Sequence, residues 1–329
     1  MPSNSIEQIK SKLLEDITRY QMNLEIILAI KSIVNEKYPE INVLSPERKV
    51  IIDNPIRKKT PDLIIHNEEL DFLINENKTS IAPEENNLNK ISEQLSEYMN
   101  LSAVLDENGN HINVNDFSIN LLVNIESYNE TKDFFLGYFS DSDNFSIMTF
   151  SSLESVRKEG MRYYLFELRD NFTVIEEINE LFSSRPMKYL IEFQKHGEEI
   201  YFTSDPPSQY TIVILWLYVF PVIINENGNF SVTSIETIIR KYYGKWDRSR
   251  TYFKISWLKE ALLTLCDIEW IKKVSTDNYQ IIKTLNLSGD VQDIICSKLA
   301  KVIYENKVEE LKEIKKDKGV QAQLTDFMN

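Results

Sequence analysis

Residues 62–78 read DLIIHNEELDFLINENK, and this stretch constrains the fold more than any other. Two apolar runs, DLIIH (62–66) and LDFLINENK (70–78), flank a short polar link around Asn67–Glu69, as a β-hairpin requires. Alternate residues of a strand share a face. Leu70, Phe72, Ile74, Glu76 and Lys78 therefore lie on one side, with Asp71, Leu73, Asn75 and Asn77 on the other. The face that begins as core ends in a carboxylate and an ammonium. Half-buried charge is costly unless it is paired or bound to a metal. If residues 62–66 and 72–76 pair antiparallel around a loop at 68–70, Asp62 stands opposite Glu76. Two carboxylates then converge at one end of the hairpin, beside the ammonium of Lys78.

The flanking pattern supplies layers for that hairpin. Ile6, Ile9, Leu13, Ile17, Leu24, Leu28, Ile30 and Val34 recur near a 3.6 period, so residues 6–38 read as a helix that Pro39 stops. Strands are expected at 41–45 and 49–53. Residues 84–101 form an amphipathic helix with Leu88, Ile91, Leu95 and Met99 on one face, and 117–127 a further strand. Helix, strands, helix, strand is a mixed α/β core with helices packed against a sheet. FSIMTF and RYYLFEL read as further strands and TVIEEINELF as a helix, extending this first domain over 1–204.

DPPSQ (205–209) marks a boundary. Helices are expected at 210–220, 233–244 and 252–266, with Thr233 and Glu236 as a capping box and Gly244 as a stop. Two short strands follow around a turn at 275–278. Three helices and then a hairpin is the winged-helix order, which gives a second, mainly helical domain over 205–290. A charged helical tail occupies 291–329.

Two carboxylates and a lysine suit metal-assisted phosphodiester cleavage. Carboxylate oxygens hold Mg²⁺, which keeps several waters and accepts phosphate oxygens. The metal lowers the pKa of a bound water and neutralises charge growing on the phosphate. A lysine orients that water or stabilises the transition state. Read without chemistry, the same residues are a solvated strand end with a cross-strand ion pair and a turn aspartate after Pro61.

Pro61-Asp62, then thirteen residues, then Glu76-Asn77-Lys78 resembles the PD-(D/E)XK nuclease superfamily, whose core is the restriction-endonuclease-like fold. The resemblance covers residues 20–127. It implies that Asp62 and Glu76 are metal ligands with the Asn77 carbonyl as a further one, that Lys78 is the catalytic lysine, and that Mg²⁺ is the cofactor, with Mn²⁺ substituting. Many members carry a glutamate on the first helix, a role that falls to Glu25, with Glu36 as competitor. Many carry a glutamine and an aromatic on the helix after the motif, which Gln94 and Tyr98 match; as helix residues four apart they also read as surface-edge positions.

Bulk properties exclude other classes. The chain has 329 residues, 42% hydrophobic and 27% charged, with eight glycines and ten prolines, as expected of a globular protein with few long linkers. Cys266 and Cys296 form neither a disulfide framework nor a zinc site, which points to a reducing cytoplasm. No signal peptide is visible, and the apolar run 211–224 is too short to span a membrane. His66, His111 and His196 have no ligand spacing, and no phosphate-binding glycine loop is present.

The net charge of −14 argues against whole-surface attraction to nucleic acid. Residues 239–254, IRKYYGKWDRSRTYFK, reverse it locally. Arg240, Lys241, Lys245, Arg248, Arg250 and Lys254 face one acid, Asp247, with aromatics between them. In a winged helix this region approaches phosphates and the major groove. A solvated loop with core aromatics is the alternative. Lys272, Lys273 and Lys283 fall on the expected wing. Arg57-Lys58-Lys59 reads either as a backbone contact or as a plain surface run.

The expected protein is a cytoplasmic, Mg²⁺-dependent nuclease acting on DNA, with RNA left open, in restriction, phage defence or mobile-element processing. A homodimer or partner protein is expected because double-strand cutting needs two sites. The alternative is a non-catalytic winged-helix regulator on a nuclease-like scaffold.

Overall fold

A computed structural model describes residues 2–44, 49–53, 56–106, 109–140, 142, 144–154, 161–183, 187–192, 202–203, 206–224, 228–242, 253–282 and 290–318. They group into two compact units, one within 21–204 and one within 1–20, 205–243 and 253–329.

The first unit carries the C-terminal half of α1 (Pro2–Lys37), then β1 (Asn42–Leu44), β2 (Val50–Ile52), β3 (Arg57–Lys59), β4 (Leu63–His66), β5 (Asp71–Lys78), α2 (Glu85–Tyr98), β6 (Leu101–Leu105), β7 (His111–Asn113), β8 (Asp116–Asn124), α3 (Ile125–Tyr138), β9 (Phe145–Glu154), β10 (Met161–Asp170), α4 (Glu176–Ser183) and β11 (Met187–Glu192). A seven-stranded mixed sheet runs β1-β4-β5-β8-β9-β10-β11. The β5–β8 and β8–β9 pairs are parallel and the others antiparallel. The first parallel pair needs a crossover, and α2 lies within it. Helices flank the sheet, giving the mixed α/β architecture that the periodicity indicates.

Strand β5 is buried along both faces from Phe72 to Asn77. On one face Phe72 and Ile74 join Leu88, Leu95 and Tyr98 of α2, Ile119 and Leu121 of β8 and Phe135 of α3 in a single core. The opposite face carries Leu73, Asn75 and Asn77, and Asn77 meets Asn23 of α1. The hairpin turn is tight. The Asn67 N–H donates to Asp71 O (3.3 Å) and its side-chain Oδ1 accepts from the Asp71 N–H (2.9 Å). Leu70 takes φ +64°, so it belongs to the turn and not to the strand. That left-handed conformation costs a leucine about 1–2 kcal/mol, which the surrounding pairing offsets.

Several elements differ from expectation. The strand expected at 117–127 ends at Asn124, whose Oδ1 accepts from the Glu126 N–H (2.9 Å) and caps α3. The strand at 50–52 belongs to a separate sheet, β3-β2-β6-β7, which the RKK run also enters.

The second unit holds α5 (Ser208–Ile214), a π-helical turn (Leu215–Val219), α6 (Phe220–Ile224), β12 (Asn229–Ser231), α7 (Val232–Tyr242), α8 (Ile255–Asp267), β13 (Ile271–Ser275), β14 (Asn278–Ile281) and α9 (Val291–Lys318). Proline lacks the N–H that a regular helix needs and crowds the preceding turn. Pro221 nevertheless does not end the apolar helix: the chain widens just before it, with the Phe220 N–H donating to Leu215 O. Strand β12 pairs with β14, giving the sheet order β12-β14-β13 and stacking Phe230 on Tyr279 at 5.7 Å. Helix α7 opens on reciprocal Ser231–Ser234 bonds of 3.0 and 3.1 Å, not on Thr233 and Glu236. The first domain expected over 1–204 loses residues 1–20 to this unit, and the tail expected to stand alone from 291 joins it. The reason is packing: Lys10 pairs with Asp293 at 2.7 Å, and Tyr20 meets Tyr210 with ring centroids 4.6 Å apart. Among the described residues, no helix is long and apolar enough to cross a membrane.

Candidate metal centre

The hairpin register fixes the site. Leu63 pairs with Asn75, Ile64 with Ile74, Ile65 with Leu73 and His66 with Phe72. One step further along this register puts Asp62 opposite Glu76. Strand β4 has ended there, so Asp62 uses its side chain where a strand would use its backbone. Its Oδ2 accepts from the Asn77 N–H at 2.8 Å. Strand β8 still pairs with β5 as far as Lys78↔Val123. The end of β5 is thus held on one edge and open on the other, with Asp62 at the open edge.

Glu76 is 3% exposed and Lys78 half-buried. Glu76 Oε1 accepts from the Tyr98 hydroxyl at 2.5 Å. Lys78 Nζ lies 3.5 Å from Glu76 Oε2 and donates to Gln94 Oε1 at 3.1 Å. Tyr98, Glu76, Lys78 and Gln94 are thus joined in one run of contacts. The four-residue spacing of Gln94 and Tyr98 on α2 puts both over the same strand end.

The electrostatics of Glu76 are unfavourable. Burial, and then the neighbouring Asp62 carboxylate, push its pKa up to about 8. A hydrogen bond with Asp62, which only the protonated carboxyl can donate, acts in the same direction. Lys78 and the Tyr98 hydroxyl oppose the rise without cancelling it. Tyr98 is itself pushed up, first by burial and then by the Glu76 charge. Two carboxylates facing one lysine leave the site short of positive charge. A proton or a cation supplies it.

That donor chemistry fits a hard divalent ion. The two carboxylates supply anionic oxygens. The Asn77 carbonyl points to the same strand edge as its N–H, because the two groups of one strand residue share an edge. Two carboxylates, a carbonyl and several waters suffice for Mg²⁺. Among the described residues no group of three or more His, Cys, Asp or Glu side chains could hold a metal, so no third such side chain joins Asp62 and Glu76.

The other expected site residues lie elsewhere. Glu25 is 6% exposed and accepts a short hydrogen bond from the Tyr164 hydroxyl of β10. Its competitor Glu36 is exposed and lies 3.5 Å from Lys37. Arg57 lies 3.6 Å from Glu97 of α2, and Lys59 pairs with the same carboxylate. In the second unit Arg240 bonds Glu236 (2.8 Å) and Phe253 O (3.2 Å), Lys241 is exposed on α7, and Lys254 lies over the Trp257 ring at 5.1 Å. Lys245, Arg248, Arg250 and Lys283 lie outside the described residues.

Sequence reasoning missed the opposite face of β5. Asn77 Nδ2 donates to Asn23 Oδ1 at 2.9 Å, and Asn75 Nδ2 donates to Asn77 Oδ1 at 2.5 Å. Asn120 Nδ2 donates to Asn75 Oδ1, and Ser146 Oγ to Asn120 Oδ1 at 3.1 Å. The available signal was the INEN and SINLL spelling, with asparagine inside otherwise apolar strands.

Compared with known protein-family models, curated proteins and solved structures, the chain matches none of them. The functional reading therefore rests on its own residues.

Proposed function

We propose that the protein is a divalent-metal-dependent nuclease of the PD-(D/E)XK type that hydrolyses phosphodiester bonds in DNA. The observation that carries this reading is the convergence of Asp62, Glu76, Lys78 and Gln94 at the open end of β5. A structural ion pair does not call for a second carboxylate that raises the pKa of the first.

Asp62, Glu76 and the Asn77 carbonyl are the ligands proposed for Mg²⁺. When bound, the ion supplies an activated water and neutralises charge on the scissile phosphate. Glu76 must lose its proton to bind, so cation and proton compete there. Lys78 Nζ lies between Glu76 and Gln94, where it would donate to the incoming water or a phosphate oxygen. Gln94 orients that ammonium, and Tyr98 holds the Glu76 carboxylate in place.

Delivery to DNA is assigned to the second unit, read as a winged helix. Its helix–strand–helix–helix–strand–strand order and its β12-β14-β13 sheet support that reading. Arg240, Lys241 and Lys254 are the proposed phosphate contacts among the described residues, with Lys272 and Lys273 exposed on β13. Double-strand cleavage then calls for two copies or a partner protein.

Plasmid cleavage in Mg²⁺, with Glu76→Ala and Lys78→Ala as controls, tests this. Metal-dependent nicking or linearisation lost in both variants supports the nuclease. Intact plasmid with wild type and both variants, all binding DNA equally, supports the non-catalytic regulator instead.

A further inference from the structure

The buried amides behind β5 form a directed chain. Donation runs one way, from Ser146 through Asn120, Asn75 and Asn77 to Asn23. Asn75, Asn77, Asn120 and Ser146 are all buried, Asn120 and Ser146 completely. Asn75 pairs with Asn120 across β5–β8, and Asn120 with Ser146 across β8–β9. The chain thus crosses three strands at one level. It then steps two residues along β5 and passes to α1.

That step reaches the residue on which the proposed site turns. Asn77 sits between Glu76 and Lys78. Its N–H binds Asp62, and beyond Asn75 the paired β4 backbone no longer holds this edge of β5. A strand end with one free edge frays unless something else fixes it. The Asn77 side chain is fixed from behind by both Asn75 and Asn23. Aligned hydrogen bonds in a dry interior strengthen one another, and breaking one leaves its partners unsatisfied.

We infer that the Ser146–Asn120–Asn75–Asn77–Asn23 chain positions the Asn77 peptide, holding its N–H on Asp62 and its carbonyl at the open edge. Asn120, which is distant in sequence from both carboxylates and lies on the neighbouring strand, acts on the site through Asn75 and Asn77. It is a positioning residue and touches no reacting group. The consequence for metal rests on the nuclease reading; the consequence for the peptide does not.

The test uses the full chain with Asn120→Leu, which keeps the side-chain volume and removes the relay. Thr131→Val is the control. It deletes another buried hydrogen bond, from Thr131 Oγ1 to Ser127 O (2.6 Å) on α3, outside the chain of amides. Residue-resolved amide hydrogen exchange is read at Asn77, alongside Mn²⁺ titration of each protein. Asn120→Leu is expected to speed Asn77 exchange by roughly tenfold or more relative to the control at equal loss of melting temperature. It is also expected to weaken Mn²⁺ binding by about tenfold. Unchanged Asn77 exchange in a folded Asn120→Leu protein overturns the inference. Should Asn120→Leu fail to fold, Ser146→Ala cuts the chain at its far end and carries the same two expectations at smaller size. Wild type that fails to bind Mn²⁺ while Asn77 exchange still responds to Asn120→Leu removes the nuclease reading and leaves the positioning role standing.

Discussion

The two faces of β5 carry polar groups of opposite character. On one, Asn75 and Asn77 are neutral, buried and joined in a continuous run of hydrogen bonds. On the other, Glu76 is equally buried, yet it meets a second carboxylate and holds its proton well above the usual range. The same strand supplies both environments, so burial alone does not explain the difference. A satisfied amide network has little left to offer a ligand. A carboxylate kept in unfavourable surroundings retains the capacity to bind whatever relieves them. The contrast teaches that one face anchors the strand and the other stores chemistry.

The sharpest way to break this contrast is to neutralise the strained side. Glu76→Gln is expected to abolish metal-dependent cleavage, a loss of more than about 10³-fold, and to leave the fold intact. Its melting temperature should also respond differently to pH. A carboxyl whose folded pKa is raised contributes full stability below its unfolded value of 4.5, and loses it as pH climbs towards about 8. Wild type should therefore fall relative to Glu76→Gln across that window in thermal melts. Parallel melting curves from pH 5 to 8 would refute the proposed environment of Glu76.

Lys78→Met tests the opposing charge. Cleavage should drop by roughly 10²–10³-fold while Mn²⁺ binding persists, because the ammonium acts on the reaction and not as a ligand. Tyr98→Phe removes a bond that favours the charged carboxylate. The pH at which Mn²⁺ binding becomes half-maximal should move upward, and stability should fall by about 1–3 kcal/mol from the lost buried partner. A downward shift would contradict the assigned role. The smallest effect belongs to the rim: Arg57→Ala breaks a half-exposed contact with Glu97, and should cost under about 1 kcal/mol with cleavage unchanged.

Much of the strained face was legible in the sequence, and little of the satisfied one was. Period-two alternation in LDFLINENK and a short turn were enough to bring Asp62 opposite Glu76, and the observed register agrees. The α2 pair Gln94 and Tyr98 came from the family resemblance, since helical spacing alone also reads them as surface-edge positions. The amide chain was not readable, because its links join three strands and a helix, and asparagine has no periodic signature. Strands β3, β6 and β7 were missed because three to five residues give too short a pattern. Helix α3 was overlooked although Asn124 and Glu126 spell its start; the preceding β-rich run hid the cap. Leu70 looked like strand because its apolarity fits the alternation, whereas its positive φ is imposed by the turn.

Titration calorimetry of Mg²⁺ or Mn²⁺ at pH 7 in two buffers of different ionisation enthalpy reads cation binding and proton release together. The expected result is binding at the Asp62–Glu76 pair that releases a sizeable fraction of one proton from Glu76, and that disappears in both Asp62→Asn and Glu76→Gln. Absence of binding by wild type, or binding of equal strength in both variants, would contradict a metal centre at this hairpin.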